Sequence, residues 1–397
     1  MKYFFILGTN TALSLAELSA VININEAQLI GGDFLIVDSP VELNPENLIK
    51  ELGGIIKIGV IRREIEPGSE KGTLLSSVLE LASAKKQVSK DGKFNFGFSD
   101  YGPRSFDKKD LGAKLKKHFS EQEISSRFVV SREKTLSSVV ITQNKLLTRG
   151  IEIVLSELEG TIYIGETLAV QFFKDLSLRD YGRPARDDLS GMLPPKLAQI
   201  MINLAQVSNE EDLIVDPFCG SGTILSEAML MGYKNIFGSD LSLKAVDDTK
   251  KNISWIKEMY KLKDIKMKFA AKNVLGLSQF IKVESIAAVI TEPYLGPQRG
   301  RIEFEEIINE LEDLYSGALQ EFNKVLVTGG RVVMIWPVFY GNKPISPRTN
   351  GFQSLNFIPE NLRNNPLVKN TTTARGTIIY GRAGQKVFRE IVVLEKM

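Results

Sequence analysis

A glycine-rich turn between two acids is the part of this chain whose residue types could do chemistry. An apolar run ends in Asp216, and Gly220 and Gly222 follow shortly after it. A second apolar run, 236–238, leads to Asp240. Glycines let the backbone turn tightly and approach a ligand without a Cβ in the way. This order is typical of one βαβ half of a nucleotide-binding sheet, whose ligand lies at the carboxyl ends of the strands.

The loop distinguishes between two classes of cofactor. A dinucleotide fold needs Gly-x-Gly-x-x-Gly, so that pyrophosphate can lie at the amino end of the helix. Here the third glycine position holds Leu225, and Asp216 opens the loop. A carboxylate repels pyrophosphate but suits S-adenosylmethionine, which carries an α-ammonium group and a ribose and no phosphate. We therefore predict this methyl donor as the cofactor, with Asp240 accepting hydrogen bonds from the ribose hydroxyls. The alternative is a glycine-rich turn inside an ordinary α/β core.

Further cofactor contacts are predicted around these two acids. Asn273 follows the third predicted strand, where its side chain could bond the adenine amine or serve as a surface turn residue. The predicted cofactor-binding residues at the strand ends are Asp216, Pro217, Phe218, Cys219, Gly220, Ser221, Gly222, Thr223, Asp240, Leu241, Asn273 and Val274.

The fourth strand of the predicted sheet ends in a group suited to methylation of an amine. The run 286–290 continues into Thr291, Glu292, Pro293 and Tyr294. The lone pair of a nucleobase amine is delocalised, and acceptors aimed at its N–H bonds disperse the positive charge that grows during methyl transfer. We predict Glu292 as the side-chain acceptor, Pro293 as a carbonyl acceptor and Tyr294 as a stacking surface. The alternative is an ordinary turn in which Glu292 is solvated.

Composition limits the class of protein. The chain has 397 residues, 43% apolar and 25% charged, which is ordinary for a globular protein of two or three domains. One cysteine, Cys219, excludes an internal disulfide and fits a reducing compartment. One histidine, His118, argues against a histidine-based metal site or a Ser-His-Asp triad. Because no apolar run reaches about eighteen residues, we expect no membrane span and a cytoplasmic protein.

Charged residues are unevenly distributed along the chain, although the net charge is only +2. Between Lys85 and Arg149 there are fifteen Lys and Arg against seven Asp and Glu. This excess predicts a surface that contacts phosphates, and the alternative is a solvated lysine-rich surface. The residues predicted to contact RNA are Lys114, Lys116, Lys117, Arg127 and Arg183.

The pattern of elements predicts an α+β region over residues 1–170 that binds RNA. Its predicted strands are 3–7, 34–37, 55–61, 94–98, 127–130, 138–141, 151–155 and 161–164. Its predicted helices are 44–52, 73–84, 110–119 and one that opens at Ser14, with Ser14 as N-cap and Glu17 as its capping-box partner. Residues 171–195 are predicted to form a linker, because residues 180–195 are rich in Pro, Gly and charge.

Residues 196–397 are predicted to form a doubly wound α/β domain, because strands and helices alternate there. Together with the predicted methyl donor, this indicates a fold of the class I methyltransferase type. The predicted strands are 213–216, 236–240, 266–271, 286–291 and 330–336, and the predicted helices are 196–205, 223–231, 242–260 and 303–324. The runs 377–380 and 387–394, joined by the turn 381–384, predict a closing antiparallel hairpin.

Several segments together resemble the THUMP-containing tRNA guanine-N2 methyltransferases, the family that modifies guanosine 10. They are 5–8, 13–18, 96–99, 127–129, 179–184, 192–198 and 216–223, and the resemblance covers nearly the whole chain. It implies methyl transfer from S-adenosylmethionine to the exocyclic N2 of a tRNA guanosine, with a THUMP-like region that binds the tRNA. It also implies that Met192 and Leu193 enclose the methionine end of the cofactor.

The reaction centre departs from the family pattern. The family has Asp-Pro-Pro-Tyr-Gly, and this chain has Thr291-Glu292-Pro293-Tyr294-Leu295-Gly296. Either Glu292 replaces the acid, or Thr291 takes its place and Tyr294 keeps the position of the aromatic residue. Two other functions fit the motifs: a DNA adenine or cytosine amino-methyltransferase, and an RNA-binding protein whose altered centre does not turn over. The sequence leaves open the oligomeric state and the need for a small activator subunit.

Overall fold

The computed structural model describes residues 1–89, 92–186, 192–297, 304–382 and 384–397. These residues form two compact units. The amino-terminal unit comprises Met1–Thr11, Asn23–Lys50 and Ile55–Phe173, and the carboxy-terminal unit comprises Ala12–Ile22, Glu51–Gly54 and Lys174–Met397. The predicted linker at 171–195 stays a prediction, and its residues 187–191 lie outside the described part of the chain.

The amino-terminal unit is built on one mixed sheet of eight strands in the order β2-β3-β1-β4-β8-β7-β5-β6. The strands are β1 Lys2–Leu7, β2 Gln28–Ile30, β3 Phe34–Asp38, β4 Ile55–Ile65, β5 Phe94–Asp100, β6 Ser126–Val129, β7 Gly150–Leu158 and β8 Thr161–Val170. The first five helices of the chain are α1 Thr11–Val21, α2 Pro45–Glu51, α3 Glu70–Val88, α4 Lys108–Glu121 and α5 Ser138–Gln143. β5 runs parallel to β6 and β7, and the other pairs are antiparallel.

Alternating phenylalanines explain why β5 forms and what it packs against. Phe94, Phe96 and Phe98 are all buried. Phe96 stacks on Phe128 of β6, with 5.3 Å between ring centroids, and Phe94 meets Phe119 of α4 edge-on at 5.2 Å. Each buried aromatic ring removes a large apolar area from water, so this cluster anchors α4 against the sheet.

Two predictions for the first half of the chain are wrong. Residues 138–141 were expected in a strand because two valines and an isoleucine lie close together, but they form α5, in which Ile141 is the buried side chain. The hydroxyl of Ser137 accepts the backbone N–H of Val140 at 3.3 Å and caps this helix. A local cap and a single buried position favour the helix over a half-buried strand.

The second error concerns the capping box at Ser14. Helix α1 begins at Thr11, so Ser14 lies inside it. Its hydroxyl donates to the carbonyl of Gly54 at 2.8 Å, and Glu17 accepts the N–H groups of Gly53 and Gly54 at 2.8 and 2.7 Å. The Ser-x-x-Glu pattern therefore serves a distant turn of the chain instead of the first turn of its own helix.

The carboxy-terminal unit contains a nine-stranded sheet whose main order is β11-β10-β9-β12-β13-β17-β15. Its strands are β9 Leu213–Asp216, β10 Asn235–Asp240, β11 Lys266–Ala271, β12 Ile286–Thr291, β13 Leu326–Phe339, β14 Lys343–Pro344, β15 Phe352–Ser354, β16 Ile378–Tyr380 and β17 Val387–Lys396. Its helices are α6 Phe173–Tyr181, α7 Pro195–Ala205, α8 Thr223–Leu230, α9 Leu243–Tyr260, α10 Phe304–Val325, α11 Glu360–Arg363 and α12 Pro366–Lys369, with a 3-10 helix at Val274–Gln279.

This sheet confirms the predicted fold class. Strands β9 to β13 are parallel, and β17 closes the sheet antiparallel to β13 and β16. Residue 303, at the start of the predicted helix 303–324, and Ala383, in the predicted turn 381–384, lie outside the described residues. No helix within the described ranges combines the length and apolar character that a membrane span requires.

The strand order creates the place for a site. β9 pairs with β10 on one side and with β12 on the other, so the direction of strand succession reverses at β9. Helices on opposite faces then diverge at that point and leave a crevice beyond the carboxyl ends of the strands. Asp216, Asp240 and Thr291 are the last residues of β9, β10 and β12. All three predicted strand-end positions therefore meet at one edge of the sheet.

Candidate active site

A cavity of about 870 Å³ lies beyond the carboxyl ends of β9 to β12. Of the residues predicted to bind the cofactor, those that line it are Met192, Leu193, Asp216, Pro217, Phe218, Cys219, Gly220, Ser221, Thr223, Asp240, Leu241, Asn273 and Val274. Glu292, Pro293 and Tyr294 line the same cavity, and neither Gly222 nor Thr291 does. The glycine loop and the segment at the end of β12 therefore surround the same cavity, although Asp216 and Thr291 are 75 residues apart in the sequence.

The loop takes its shape from two glycines with left-handed backbone conformation. Gly220 has φ of 51° and Gly222 has φ of 81°. A Cβ at Gly222 would lie 3.0 Å from a methyl carbon of Thr249, so a side chain there would also push against α9. The N–H of Gly220 donates to Asp240 at 3.1 Å, and that of Ser242 donates to the other carboxylate oxygen at 2.9 Å. These bonds fix the Asp240 carboxylate at the cavity wall.

Asp216 is a buried acid at the base of the cavity, with 1% of its surface exposed. One of its oxygens accepts the hydroxyl of Thr291 at 2.6 Å and the N–H of Phe218 at 3.2 Å. Burial raises the pKa of Asp216 to about 7, and the nearby carboxylates of Asp240 and Glu292 add to the rise. Near neutral pH this carboxyl group is therefore close to half ionised, and a cationic ligand group would favour its charged form.

Charges around the cavity fit the predicted cofactor. Besides Asp216, the lining contains the carboxylates of Asp240, Asp248 and Glu292. The lining also contains two cations, Lys244 and Lys272, and Lys244 pairs with Asp248 at 2.6 Å. Asp216 thus lies in a predominantly acidic wall, which suits an ammonium and a sulfonium group and disfavours pyrophosphate. Bound there, S-adenosylmethionine would be held by Asp216 and Asp240 and by the loop between them.

Cys219 lies in the loop as a packing residue. It is 4% exposed, and the hydroxyl of Thr249 contacts its sulfur at 3.5 Å. Burial raises the pKa of the Cys219 thiol far above its usual range. A thiol that stays protonated is a poor nucleophile, which agrees with a structural position beside the cofactor loop.

Asn273 has a local structural role as well as a place in the cavity wall. It is exposed, and its side-chain oxygen accepts the N–H of Leu275 at 3.0 Å, which caps the 3-10 helix Val274–Gln279. Both interpretations of this residue therefore have support in the geometry, and its contact with adenine stays a prediction.

Arg183, which was predicted to contact RNA, is buried with 7% of its surface exposed. Its Nε donates to the carbonyl of Arg179 at 3.0 Å, and its NH1 group donates to Thr223 at 2.6 Å. Thr223 begins α8 directly after the glycine loop. Burial and these bonds are incompatible with a phosphate contact at the surface. Arg183 instead ties the segment after α6 to the loop.

A second bridge reinforces the same connection. The side-chain amide of Asn252 on α9 donates to Ala185 and Ser221 carbonyls at 2.9 and 2.8 Å, and its oxygen accepts the N–H of Ala185 at 2.9 Å. Nearby, Arg179 forms a buried ion pair with Glu227 at 2.7 Å. The segment that ends at residue 186 is therefore held against α8 and α9, the two helices that follow the loop.

The strand exit has two distinct halves. Thr291 is fully buried and donates its hydroxyl to Asp216, so its side chain serves the base of the cavity. Glu292 lines the cavity and accepts Nε of Arg389 at 2.6 Å. Burial raises the pKa of Glu292, and the Arg389 guanidinium opposes that rise. Two residues were considered for the position of the acid, Thr291 and Glu292. Of these, Glu292 is the one that lines the cavity.

Tyr294 is 61% exposed at the cavity wall, as a stacking surface requires. Its carbonyl accepts the hydroxyl of Tyr315 at 2.8 Å, so the backbone of this turn is anchored to α10. Sequence reasoning did not find Arg389, Asn252 or Tyr315. Asn252 reaches the site from α9, Tyr315 from α10 and Arg389 from β17. Nothing in their local sequence indicates those contacts.

The remaining residues predicted to contact RNA lie in the amino-terminal unit, on α4 and β6. Lys114, Lys116, Lys117 and Arg127 are all exposed. Lys114 pairs with Asp110 at 2.6 Å, and Lys117 lies 3.9 Å from Glu121. Such exposed pairs are weak and can be exchanged for phosphate contacts. β6 is the edge strand of its sheet, which leaves Arg127 open to a ligand.

The fold and the cavity define a class I methyltransferase domain. Comparison with known proteins agrees: residues 183–339 match the family model described as an RMKL-like methyltransferase domain. The structure is similar to the crystal structure of TrmN from Thermus thermophilus, with a TM-score of 0.51 and 18% identity over the full length of both chains. At that identity the likeness concerns the fold alone.

Sequence relatives identify the family. A tRNA (guanine(10)-N2)-dimethyltransferase of Methanocaldococcus jannaschii is 34% identical over 203 residues, 49% of this chain and 52% of the relative. A probable enzyme of the same name from Methanothermococcus thermolithotrophicus is 32% identical over 122 residues, 30% of this chain and 72% of the relative. The chain belongs to the family of these methyltransferases. Its match spans about half the length of the Methanocaldococcus relative.

Proposed function

We propose that this protein transfers a methyl group from S-adenosylmethionine to the exocyclic N2 of a guanosine in tRNA, at position 10. One observation carries the proposal: Asp216, Asp240 and Glu292 converge on a single cavity at the carboxyl ends of adjacent strands. The names of the relatives at 30–34% identity support the tRNA substrate and the position. A cytoplasmic location, where tRNA is available, is part of the proposal.

The residues of the cavity divide into a donor side and an acceptor side. On the donor side, Asp216 pairs with the ammonium group, Asp240 accepts the ribose hydroxyls, and Met192 and Leu193 cover the methionine end. Bound there, S-adenosylmethionine supplies an electrophilic methyl group on a positively charged sulfur. On the acceptor side, Tyr294 stacks on the flipped base, and Glu292 and the carbonyl of Pro293 accept N–H bonds of the amine.

Glu292 acts on the charge that develops at nitrogen. As the N2 lone pair forms a bond to carbon, the amine becomes more positive and its N–H bonds become better donors. The carboxylate of Glu292 stabilises that charge and can take up the proton that nitrogen must lose afterwards. Holding nitrogen and carbon close together and aligned provides much of the remaining rate.

The amino-terminal unit is proposed to bind the tRNA through its phosphates. The exposed cations of α4 and β6 and the basic excess between Lys85 and Arg149 support this role. Binding through phosphates releases counterions, so the affinity for tRNA is expected to fall steeply as salt increases. The THUMP-like character of this unit is part of the proposal.

Methyl transfer from labelled S-adenosylmethionine to an unmodified tRNA transcript tests the function. The purified full chain is incubated with tRNA and duplex DNA in competition, without an added activator subunit. Label in tRNA supports the proposal, and label in DNA supports a DNA amino-methyltransferase instead. If calorimetry detects binding of the donor but no nucleic acid becomes labelled, the chain lacks the proposed activity on its own.

A further inference from the structure

The Glu292–Arg389 pair extends the site beyond the residues that the motifs indicate. Arg389 lies on β17, opposite Pro337 of β13, whereas Thr291 at the end of β12 lies opposite Met334. Because β13 and β17 extend beyond the end of β12, Arg389 lies past that end. That register brings its guanidinium to the carboxylate of Glu292, 97 residues away in sequence.

The ion pair is largely shielded from solvent, and a hydrogen bond between defined atoms orients its two side chains. The side chains are 16% and 13% exposed, and Nε of Arg389 donates to Oε1 of Glu292 at 2.6 Å. Within the described part of the chain, Oε1 is the Glu292 oxygen that has a hydrogen-bond donor. The second oxygen, Oε2, and the remaining lone pair of Oε1 are left as acceptors for groups in the cavity that Glu292 lines.

An anionic acceptor distinguishes among the bases that carry an amine. In guanine the N2 amine lies beside N1–H, so two adjacent donors face the same direction. In adenine and cytosine the amine lies beside a ring nitrogen that bears a lone pair. A carboxylate therefore accepts two N–H groups from guanine, whereas it faces a lone pair in the other two bases. A site built for such donors strongly rejects an analogue that lacks one of them.

We propose that Glu292, held in place by Arg389, is the group that selects guanine among the amine-bearing bases, and that Arg389 is its positioning residue. This inference rests on the proposed function, because it concerns the base that the cavity receives. It also gives a chemical reason for the departure at the reaction centre. A glutamate is one methylene longer than the aspartate of the family pattern, and its pairing with Arg389 fixes where the longer side chain ends.

A tRNA with 2-aminopurine at the target position tests the selection. This base keeps the 2-amine but has a lone pair at N1, where guanine has N1–H. We expect the wild-type protein to prefer guanosine by at least about 100-fold in kcat/KM. In Glu292→Gln the amide can donate to N1, so the preference should fall below about 10-fold. Because the intrinsic reactivity of the two bases is the same for both proteins, the change in the ratio reports on residue 292.

The same measurement in Arg389 variants tests the positioning role. Arg389→Gln should lower kcat at pH 7 by about 10- to 100-fold. It should also shift the acidic limb of the kcat profile to higher pH, because loss of the cation favours protonated Glu292. Arg389→Lys should restore part of both effects. Arg348→Gln is the matched control, because Arg348 also pairs with a carboxylate, Asp313 at 3.5 Å, but on the exposed surface.

The outcomes separate this inference from the function itself. Failure of the wild-type protein to methylate guanosine would refute the proposed function. Normal methylation with an unchanged guanosine preference in Glu292→Gln would refute the selection and leave the function standing. If Glu292→Gln is inactive on both substrates, the ratio of the two dissociation constants, measured with S-adenosylhomocysteine present, replaces kcat/KM. A Gln variant that binds both tRNAs with the wild-type ratio would then overturn the inference.

Discussion

The ionisation of Asp216 should make cofactor affinity depend on pH in the neutral range. Its pKa is about 7 in the free protein, because the carboxyl group is buried beside other carboxylates. An ammonium group binds the ionised form, so the apparent dissociation constant is the intrinsic value divided by the ionised fraction. With a pKa of about 7, that fraction is roughly 3% at pH 5.5 and about 50% at pH 7. Affinity should therefore rise about 15-fold over this interval.

Calorimetric titration with S-adenosylhomocysteine between pH 5.5 and 7 measures this dependence. The interval lies below the pH at which an α-amino group loses its proton, so the charge of the ligand stays constant. Asp216→Asn should bind more weakly at pH 7 by roughly 10- to 100-fold, since a hydrogen bond to a charged group contributes about 1.5–3 kcal/mol. It should also lose the pH dependence.

Thr291→Val is the matched perturbation. The Thr291 hydroxyl lowers the pKa of Asp216, so its removal should shift the binding profile to higher pH while keeping its shape. The same acid affects stability in the free protein. Because its folded pKa lies above the unfolded value, its stabilising contribution is present in full below about pH 4 and is lost as pH rises through about 7. A flat affinity between pH 5.5 and 7, with the Asn variant equal to wild type, would refute this account of Asp216.

Three further predictions concern other parts of the molecule. Arg183→Gln should raise the dissociation constant for S-adenosylhomocysteine about 10-fold by calorimetry, because Arg183 holds Thr223 at the loop; unchanged affinity would remove Arg183 from the site. Glu292→Ala should lower kcat about 100-fold in the labelled-methyl assay with little change in cofactor affinity, and a normal kcat would exclude Glu292 from the reaction. Replacing the three lysines of α4 by alanine should weaken tRNA binding and reduce its salt dependence in filter-binding titrations, whereas an unchanged salt dependence would place the RNA elsewhere.

The loop and the strand exit could be predicted because their signals are local. A short apolar strand that ends in an acid and a glycine turn specifies its own backbone path, and parallel strands bring their carboxyl ends together. The alternation of elements was sufficient to predict the class of the sheet and its closing hairpin. The three acids predicted to lie at the site, Asp216, Asp240 and Glu292, do line one cavity.

The contacts that complete the site could not be predicted, because they depend on register and packing. Arg389 reaches Glu292 only through the pairing of β17 with β13, and Asn252 reaches Ser221 only through the position of α9. Arg183 shows the opposite error. It was predicted to contact RNA, yet its guanidinium is buried against Thr223.

The capping pattern at Ser14 and Glu17 was misleading for a similar reason. Both side chains bind the turn at Gly53 and Gly54, and the amide of Asn203 also donates to Glu17 at 2.8 Å. A motif of four residues cannot reveal that its partners lie on another segment. Burial raises the pKa of Glu17 to about 7, which marks this carboxyl group as part of the interior.

Nucleoside mass spectrometry of a defined reaction tests the central claim most directly. The purified protein, S-adenosylmethionine and an unmodified tRNA transcript are incubated, and the digested RNA is compared with that of a transcript carrying adenosine at position 10. We predict N2-methylated or N2,N2-dimethylated guanosine from the first transcript and neither product from the second. Equal methylation of both transcripts, or donor binding with no methylated guanosine in either, would contradict the assignment.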